Sequence, residues 1–162
     1  EIVGYVREGN PIMGDADNKK MNDKEFVKKY GETTRFSYGL EDGMSDVYVY
    51  RMTMTNEDGV VVEYPTWYAQ VRCEEMGIKH VPVLYRGEFD NDLDLMDKVE
   101  DFIDGTDPIG KTHIREGVVV RIENRSGFVA YKAKSFDFKV LEGIIKENAT
   151  EPDMEEAQEV IA

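Results

Sequence analysis

Glu116-Gly-Val-Val-Val-Arg-Ile122 and Phe128-Val-Ala-Tyr-Lys-Ala-Lys134 are two runs rich in β-branched and aromatic residues, and Asn124-Arg-Ser-Gly127 lies between them. Valine, isoleucine, phenylalanine and tyrosine favour extended chain, whereas asparagine and glycine favour turns. The sequence therefore predicts a β-hairpin with strands at 116–122 and 128–134.

Other runs with strand or helix patterns flank this hairpin. Strands are predicted at 1–7, 33–38, 47–55, 60–64 and 80–85, with a second hairpin turn at 56–59. Helices are predicted at 24–30, at 67–76 between a cap at Thr66 and a stop at Gly77, along the apolar face of 95–103, and after a cap at Ser135. Hairpins with interspersed helices predict an α+β domain in which helices flank antiparallel sheets.

The charge of the chain is unevenly distributed. The 162 residues carry a net charge of -14, which argues against a protein that holds nucleic acid through its overall field. Between 111 and 146, however, eight lysines and arginines stand against four acidic residues. We therefore expect any bound anion to lie in that segment.

Composition also suggests the setting of the protein. A single cysteine, Cys73, rules out an internal disulfide, and no apolar run is long enough to span a membrane or resembles a signal peptide. We expect a soluble intracellular protein with no membrane contact and no implied protein partner. After Lys146 six acidic residues and no basic one follow, so we expect one domain over 1–146 and an acidic tail or helix over 147–162.

Lys132 and Lys134 are the first candidates for chemistry. Positions i and i+2 of a strand face the same side, so both ammonium groups would project into one site while Ala133 points away. Taken alone, such a pair is more typical of a solvated strand edge. Glu116 opens the preceding strand and would add a carboxylate that can hold a divalent metal. Replacement of Lys139, on the helix predicted after Ser135, by alanine is predicted to be nearly silent.

Four segments in order carry a family resemblance. The segments 113–121 and 128–143 resemble motifs IV and V of the covalent nucleotidyltransferases, the superfamily of ligases and capping enzymes, and most closely its RNA ligase branch. Glu1-Ile-Val-Gly-Tyr5 resembles motif III, and Val47-Tyr-Val-Tyr-Arg51 resembles the aromatic motif IIIa. The resemblance implies an ATP-grasp-like ligase fold. It also implies an ATP-dependent RNA ligase that uses Mg²⁺ and joins RNA 5′-phosphate and 3′-hydroxyl ends.

The resemblance assigns three residues to the nucleoside. Glu1 would accept hydrogen bonds from the ribose hydroxyls, and Tyr50 would stack on adenine. Tyr48 shares the face of Tyr50 in a regular strand, so the choice between the two rings stays open. Ordinary sheet packing is the alternative for both tyrosines, since aromatic residues favour strands.

The remaining site residues would act on phosphates. Lys132 and Lys134 are implied as catalytic, ATP-binding groups, and Glu116 as the catalytic metal ligand. Arg121 and Arg125 are candidates for RNA phosphates, with a solvated hairpin tip as the alternative for Arg125.

The family's nucleophile is missing from the sequence. These enzymes attack the nucleotide with the lysine of a Lys-x-Asp-Gly or Lys-x-Glu-Gly motif, and no such tetrapeptide occurs here. We expect the chain to begin at motif III, to be truncated at its N-terminal side and to be inactive alone. The alternatives are a DNA ligase, a GTP-using capping enzyme, and a non-catalytic nucleotide-binding pseudo-ligase.

Overall fold

The first sheet joins segments that are distant in the chain. A computed structural model of the protein describes residues 1–13, 24, 28, 36–123, 128–142 and 157–160. In the order β2-β1-β3-β6, the strands are β1 (Ile2–Arg7), β2 (Asn10–Pro11), β3 (Ser45–Val49) and β6 (Lys79–His80). β1 runs antiparallel to both of its neighbours, whereas β6 is parallel to β3. Val3 is buried while Ile2 and its partner Val47 are exposed, so one face of this sheet is covered.

Two hairpins form the remaining sheets. The strands β4 (Thr53–Thr55) and β5 (Val61–Glu63) pair antiparallel around the predicted turn at 56–59. The strands β7 (Gly117–Ile122) and β8 (Phe128–Lys134) pair antiparallel over their whole length, and β9 (Ala157–Val160) adds to the other side of β8. β8 is therefore the central strand of its sheet.

The described residues include the helices α1 (Thr66–Met76), α2 (Asp92–Ile103) and α3 (Phe136–Glu142), and Lys24 and Lys28 are also helical. α1 ends at Gly77, which has the left-handed backbone expected of a stop signal. In α2, Asn91 is the cap and its side chain accepts from the amide of Asp94 at 2.9 Å. In α3, the Ser135 hydroxyl accepts from the Phe138 amide at 3.1 Å, which confirms the predicted cap.

A cluster of buried apolar residues joins parts of the chain that are distant in sequence. Phe36, Phe138 and Val140 form its centre, and Phe36 meets Phe138 edge to face with ring centroids 5.7 Å apart. Partly buried residues pack around them: Met13, Tyr38, Ile114 and Phe136. The start of α3 is thereby held against the loop that contains Phe36.

The α+β class is confirmed, but several predicted strands were wrong in extent. Residues 36–38 lie in a loop and turn, and 33–35 lie outside the described residues. The run 47–55 is divided between β3 and β4, and of the run 80–85 only His80 belongs to a strand, β6. Alternating apolar residues predict strand wherever they occur, but a strand also needs a neighbour to pair with. The parallel pairing of β3 with β6 was not expected.

Two expectations about the C-terminal region also need correction. We expected an acidic tail or helix over 147–162, but Ala157–Val160 is a strand that pairs with β8. Residues 143–156, which include the expected boundary at 146, lie outside the described residues. Lys139 is only 1% exposed, because α3 packs through several of its faces. Because the residue is buried, its replacement by alanine is not expected to be silent. None of the described helices has the length and apolar character required to cross a bilayer.

Candidate active site

The β7–β8 hairpin places the two candidate lysines on one face. Lys134 lies opposite Gly117 and Lys132 opposite Val119, and directly opposed residues of an antiparallel pair share a face. Ala133 is buried, whereas Lys132 is exposed and Val119 is 63% exposed. The prediction that both lysines lie on one face is confirmed, and the middle of that face, at Val119 and Lys132, is exposed to solvent.

Gly117 lets the two strands approach closely beside Lys134. A Cβ at Gly117 would lie 2.0 Å from the carbonyl oxygen of Ala133 and 2.8 Å from the Cα of Lys134, and its φ is +154°. No other residue fits this space and this backbone conformation without movement of the backbone. The glycine after Glu116 is therefore a structural requirement of the hairpin.

Glu116 is half-buried at the start of β7, where its backbone is held from both sides. Its carbonyl accepts from the Ser135 amide at 2.8 Å, and the Ser135 hydroxyl donates to the Arg115 carbonyl at 2.7 Å. The Arg115 guanidinium donates to three carbonyls at and beyond the end of α2, those of Phe102, Asp104 and Thr106. The position of the Glu116 backbone is thus fixed by hydrogen bonds to the cap of α3 and, through Arg115, to the end of α2.

Tyr38 was not predicted as a candidate residue, but the charges of two candidate residues act on it. Burial raises the pKa of its phenol, and the carboxylates of Glu116, Asp107 and Glu1 raise it further. Glu1 and Glu116 therefore act on the same phenol, although they lie 115 positions apart in the chain. Tyr38 also has a φ of 54°, a conformation that is uncommon outside glycine and often found at functional sites.

His113 lies against Tyr38 inside the protein. Its ring is 4.5 Å from the ring centroids of both Phe36 and Tyr38, and the residue is 3% exposed. Nδ1 lies 2.8 Å from the Ile114 carbonyl oxygen and is the nitrogen that donates to it. The other nitrogen, Nε2, is buried and has no partner among the described residues. Burial lowers the pKa of His113, so the ring is neutral at pH 7.

The first sheet places Glu1 beside Tyr48. Their backbones exchange two hydrogen bonds of 2.8 Å, so the first residue of the chain is tied into the sheet and the two side chains share a face. Lys79 covers the Tyr48 ring, with Nζ 5.5 Å from its centroid, and also pairs with Asp46. Tyr50, just beyond β3, is 58% exposed. Of the two rings, Tyr50 is the one open to a ligand.

Arg121 lies inside a network of ion pairs. Its side chain is 15% exposed, and its guanidinium pairs with Glu63 at 3.3 Å and with Glu123 at 2.9 Å. It also donates to the carbonyl of Tyr50 at 3.4 Å. Arg121 therefore joins β7 to the segment that carries Tyr50, while Arg125 lies outside the described residues.

The described part of the chain holds no group of three or more His, Cys, Asp or Glu residues placed to bind a metal. A magnesium ion needs no such cage, because it retains waters and takes one or two carboxylates together with the phosphates of a substrate. The single carboxylate of Glu116 fits that kind of site.

A comparison with protein families gives the chain a family. The family model described as RNA ligase matches residues 12–141, which is most of the chain. The chain belongs to the RNA ligase family. Comparison with curated proteins and with solved structures gave no significant match.

The RNA ligase match covers most of the candidate site. Within residues 12–141 lie the two lysines, Glu116, Tyr38, both candidate tyrosines of the nucleoside site and Arg121. Glu1 precedes the matched residues, so its place in the site is supported by its pairing with Tyr48 and by its effect on Tyr38.

The buried His113 makes the stability of this RNA ligase domain sensitive to acid. Its pKa is lower in the folded protein than the value of about 6.5 expected when unfolded, so unfolding takes up a proton below that pH. This contribution to stability is complete above about pH 6.5 and is lost as the pH falls, by at most about 1.4 kcal/mol per pH unit. We expect the parent to lose more stability than His113→Gln between pH 7 and pH 5. Denaturant unfolding at both pH values measures this, and equal losses would contradict it.

Proposed function

We propose that this chain forms part of the active site of an ATP-dependent RNA ligase with a nucleotidyltransferase fold. The intact protein would join RNA 5′-phosphate and 3′-hydroxyl ends through lysyl-AMP and RNA-adenylate intermediates, using a nucleophilic lysine supplied by a segment outside this chain. The observation that carries the proposal is the face shared by Lys132 and Lys134, within the segment that matches the RNA ligase family.

The residues present fit ATP and Mg²⁺ in three respects. Lys132 is exposed and Lys134 half-buried on an open face, which suits the phosphates. The exposed Tyr50 ring offers a surface for adenine, and Glu1 lies beside the neighbouring Tyr48. Glu116 can bind a metal whose charge would neutralise the phosphate oxygens during transfer.

The chain's own residues would act mainly by positioning and charge neutralisation. Phosphoryl transfer gives the protein little covalent work, so preorganised cations near the reacting phosphate supply most of the effect. Lys132 and Lys134 are held by β8, which pairs with β7 beside both lysines and with β9 over Phe128–Tyr131. The nearby Glu116 is fixed through Ser135 and Arg115. The carboxylates of Glu1 and Glu116 both act on the Tyr38 phenol by raising its pKa.

Incubation with labelled nucleotides tests this proposal. We expect the intact protein to retain label covalently from ATP and not from GTP, and to seal RNA ends in preference to DNA ends. Retention of label from GTP would indicate a capping enzyme, and preferential sealing of DNA ends would indicate a DNA ligase. Absence of both label and sealing would indicate a nucleotide-binding pseudo-ligase.

The present chain should form no adduct, because its lysines serve as phosphate contacts and it lacks the lysine motif of the family. Incubation of the chain alone with labelled ATP and magnesium, followed by denaturing electrophoresis, measures this. A labelled band would show that a lysine within 1–162 is the nucleophile and that the assigned roles are wrong.

A further inference from the structure

Arg121 lies at the centre of contacts between four segments of the chain. Its guanidinium reaches the carbonyl of Tyr50 at 3.4 Å, the carbonyl of Tyr64 at 3.2 Å and the carboxylate of Glu63 at 3.3 Å. Arg51 binds the same Glu63 carboxylate from the other side, through Nε at 2.9 Å and through a terminal nitrogen at 2.8 Å. Glu63 is therefore shared between two arginines.

The network extends to the first turn of α1. Glu123 pairs with Arg121 at 2.9 Å and accepts from both the amide and the hydroxyl of Thr66, at 3.0 and 2.6 Å. The residue before Thr66 is Pro65, which supplies no side-chain cap for this helix. The Glu123 carboxylate therefore caps α1 and, through its ion pair, links Arg121 to the first residue of that helix.

The hairpin register places this network on the lysine face. Arg121 lies opposite Ala130, Val119 opposite Lys132 and Gly117 opposite Lys134, so Arg121 and both lysines share one side of the sheet. Two residues of a strand cover about 7 Å, so Lys132 follows Arg121 along this face by about that distance and Lys134 by about twice as much. Arg121 thus binds the carbonyl of Tyr50 on the same face of the sheet that carries Lys132 and Lys134.

An RNA contact fits Arg121 less well. Its side chain is 15% exposed and that of Glu63 is 11% exposed, so the guanidinium is largely enclosed and already paired. Binding a phosphate would require it to leave carboxylates that are themselves poorly solvated, which costs more than moving an exposed arginine. A planar guanidinium group can donate to several oxygens at once, here two carbonyls and two carboxylates, whereas the ammonium group of a lysine cannot reproduce that geometry.

We propose that Arg121 is a positioning residue for the nucleotide site and not an RNA contact. By binding the Tyr50 carbonyl and the Glu63 carboxylate, it holds the exposed Tyr50 ring over the face of Lys132 and Lys134. The ring and the lysines can then bind the base and the phosphates of one nucleotide. This inference rests on the proposed function, because it takes Tyr50 as the surface for adenine.

The test compares Arg121→Lys with its parent in the intact protein, and with Arg72→Lys, a matched change at an exposed ion pair on α1. ATP affinity is measured without divalent metal, so that no transfer occurs. We expect Arg121→Lys to weaken ATP binding about tenfold, equivalent to about 1.4 kcal/mol, and Arg72→Lys to leave it unchanged. In a Tyr50→Ala background the same Arg121→Lys change should have less than about a twofold effect, because its action passes through Tyr50.

RNA binding separates positioning from phosphate contact. An arginine that contacts RNA phosphate lowers the salt dependence of RNA affinity by about one unit of slope when it is replaced by a neutral residue. We expect Arg121→Met to leave that slope unchanged. Glu63→Gln, which keeps the shape but removes the shared charge, should weaken ATP binding as Arg121→Lys does, and it carries the test if either Arg121 variant fails to fold.

The outcomes distinguish this inference from the proposed function. A parent that binds no ATP would overturn the proposed function itself. A parent that binds ATP, with Arg121→Lys and Glu63→Gln binding it equally well, would overturn the positioning role alone. A reduced salt slope in Arg121→Met, or a full tenfold effect of Arg121→Lys in the Tyr50→Ala background, would do the same.

Discussion

Lys132→Ala and Lys134→Ala should each lower the rate of adenylation or sealing by the intact protein roughly a hundredfold to a thousandfold, because each removes a preorganised donor to developing charge. Lys132 is exposed, so its replacement should change stability by about 0.5 kcal/mol or less. Lys134 is half-buried, with Nζ 5.9 Å from the centroid of the Phe138 ring. Loss of this contact should lower the free energy of unfolding by a further amount of about 0.5–1 kcal/mol. Single-turnover rates and thermal melts measure both effects.

The control for these variants is Lys98→Ala. Lys98 lies on α2, pairs with Asp101 three residues later and covers the Tyr85 ring, with Nζ 4.8 Å from its centroid. Its replacement should therefore cost stability about as much as that of Lys134 but leave the rate of sealing unchanged. Lys139 is unsuitable as a control, because it is buried and its replacement would disturb the packing of α3. If the Lys132 and Lys134 variants both seal within a few fold of the parent, the lysines belong to a solvated strand edge and the assignment is wrong.

Gly117→Ala should prevent the β7–β8 hairpin from forming as described. The new Cβ would lie 2.0 Å from a backbone carbonyl oxygen, which no side-chain rotation relieves, and the backbone would keep a positive φ that alanine disfavours. Overpacking and backbone strain each cost about 1–3 kcal/mol, so we expect a loss of about 3 kcal/mol or more. Denaturant unfolding of the purified variant measures this loss.

Gly59→Ala is the matched control for the Gly117 variant. Gly59 also has a positive φ, of +79°, but its Cβ would meet nothing within 4 Å. Its replacement therefore carries the backbone cost without the steric one, about 1–2 kcal/mol. Equal destabilisation by the two variants would show that the close approach at Gly117 has no energetic consequence.

Several features of the site follow from local sequence. The two strands of the hairpin were predicted because β-branched residues and a turn tetrapeptide adjoin each other, and β8 has the predicted ends. The shared facing of Lys132 and Lys134 follows from the two-residue period of a strand. The cap at Ser135 and the stop at Gly77 were likewise predicted, since both depend on residues within one helical turn.

Contacts between distant segments could not be predicted in this way. The carbonyl of Tyr50 meets Arg121 across 71 positions of the chain, and no periodic pattern relates the two. Tyr38 was placed in a predicted strand, and nothing set it apart from the other eight tyrosines until the Glu1 and Glu116 carboxylates were found to act on it. The burial of Lys139 could not be predicted either, because it depends on what packs against α3.

By itself the sequence determined the α+β class, the hairpin with its paired lysines and the resemblance to RNA ligases. These rest on backbone preferences and residue order, which act over a few neighbouring positions. Only the tertiary structure decided that Tyr50 is more exposed than Tyr48, that Arg121 is enclosed by carboxylates, and that the charge of Glu1 acts on Tyr38. Burial and charge pairing depend on which distant segments come together, and that is settled by the packing of the whole domain.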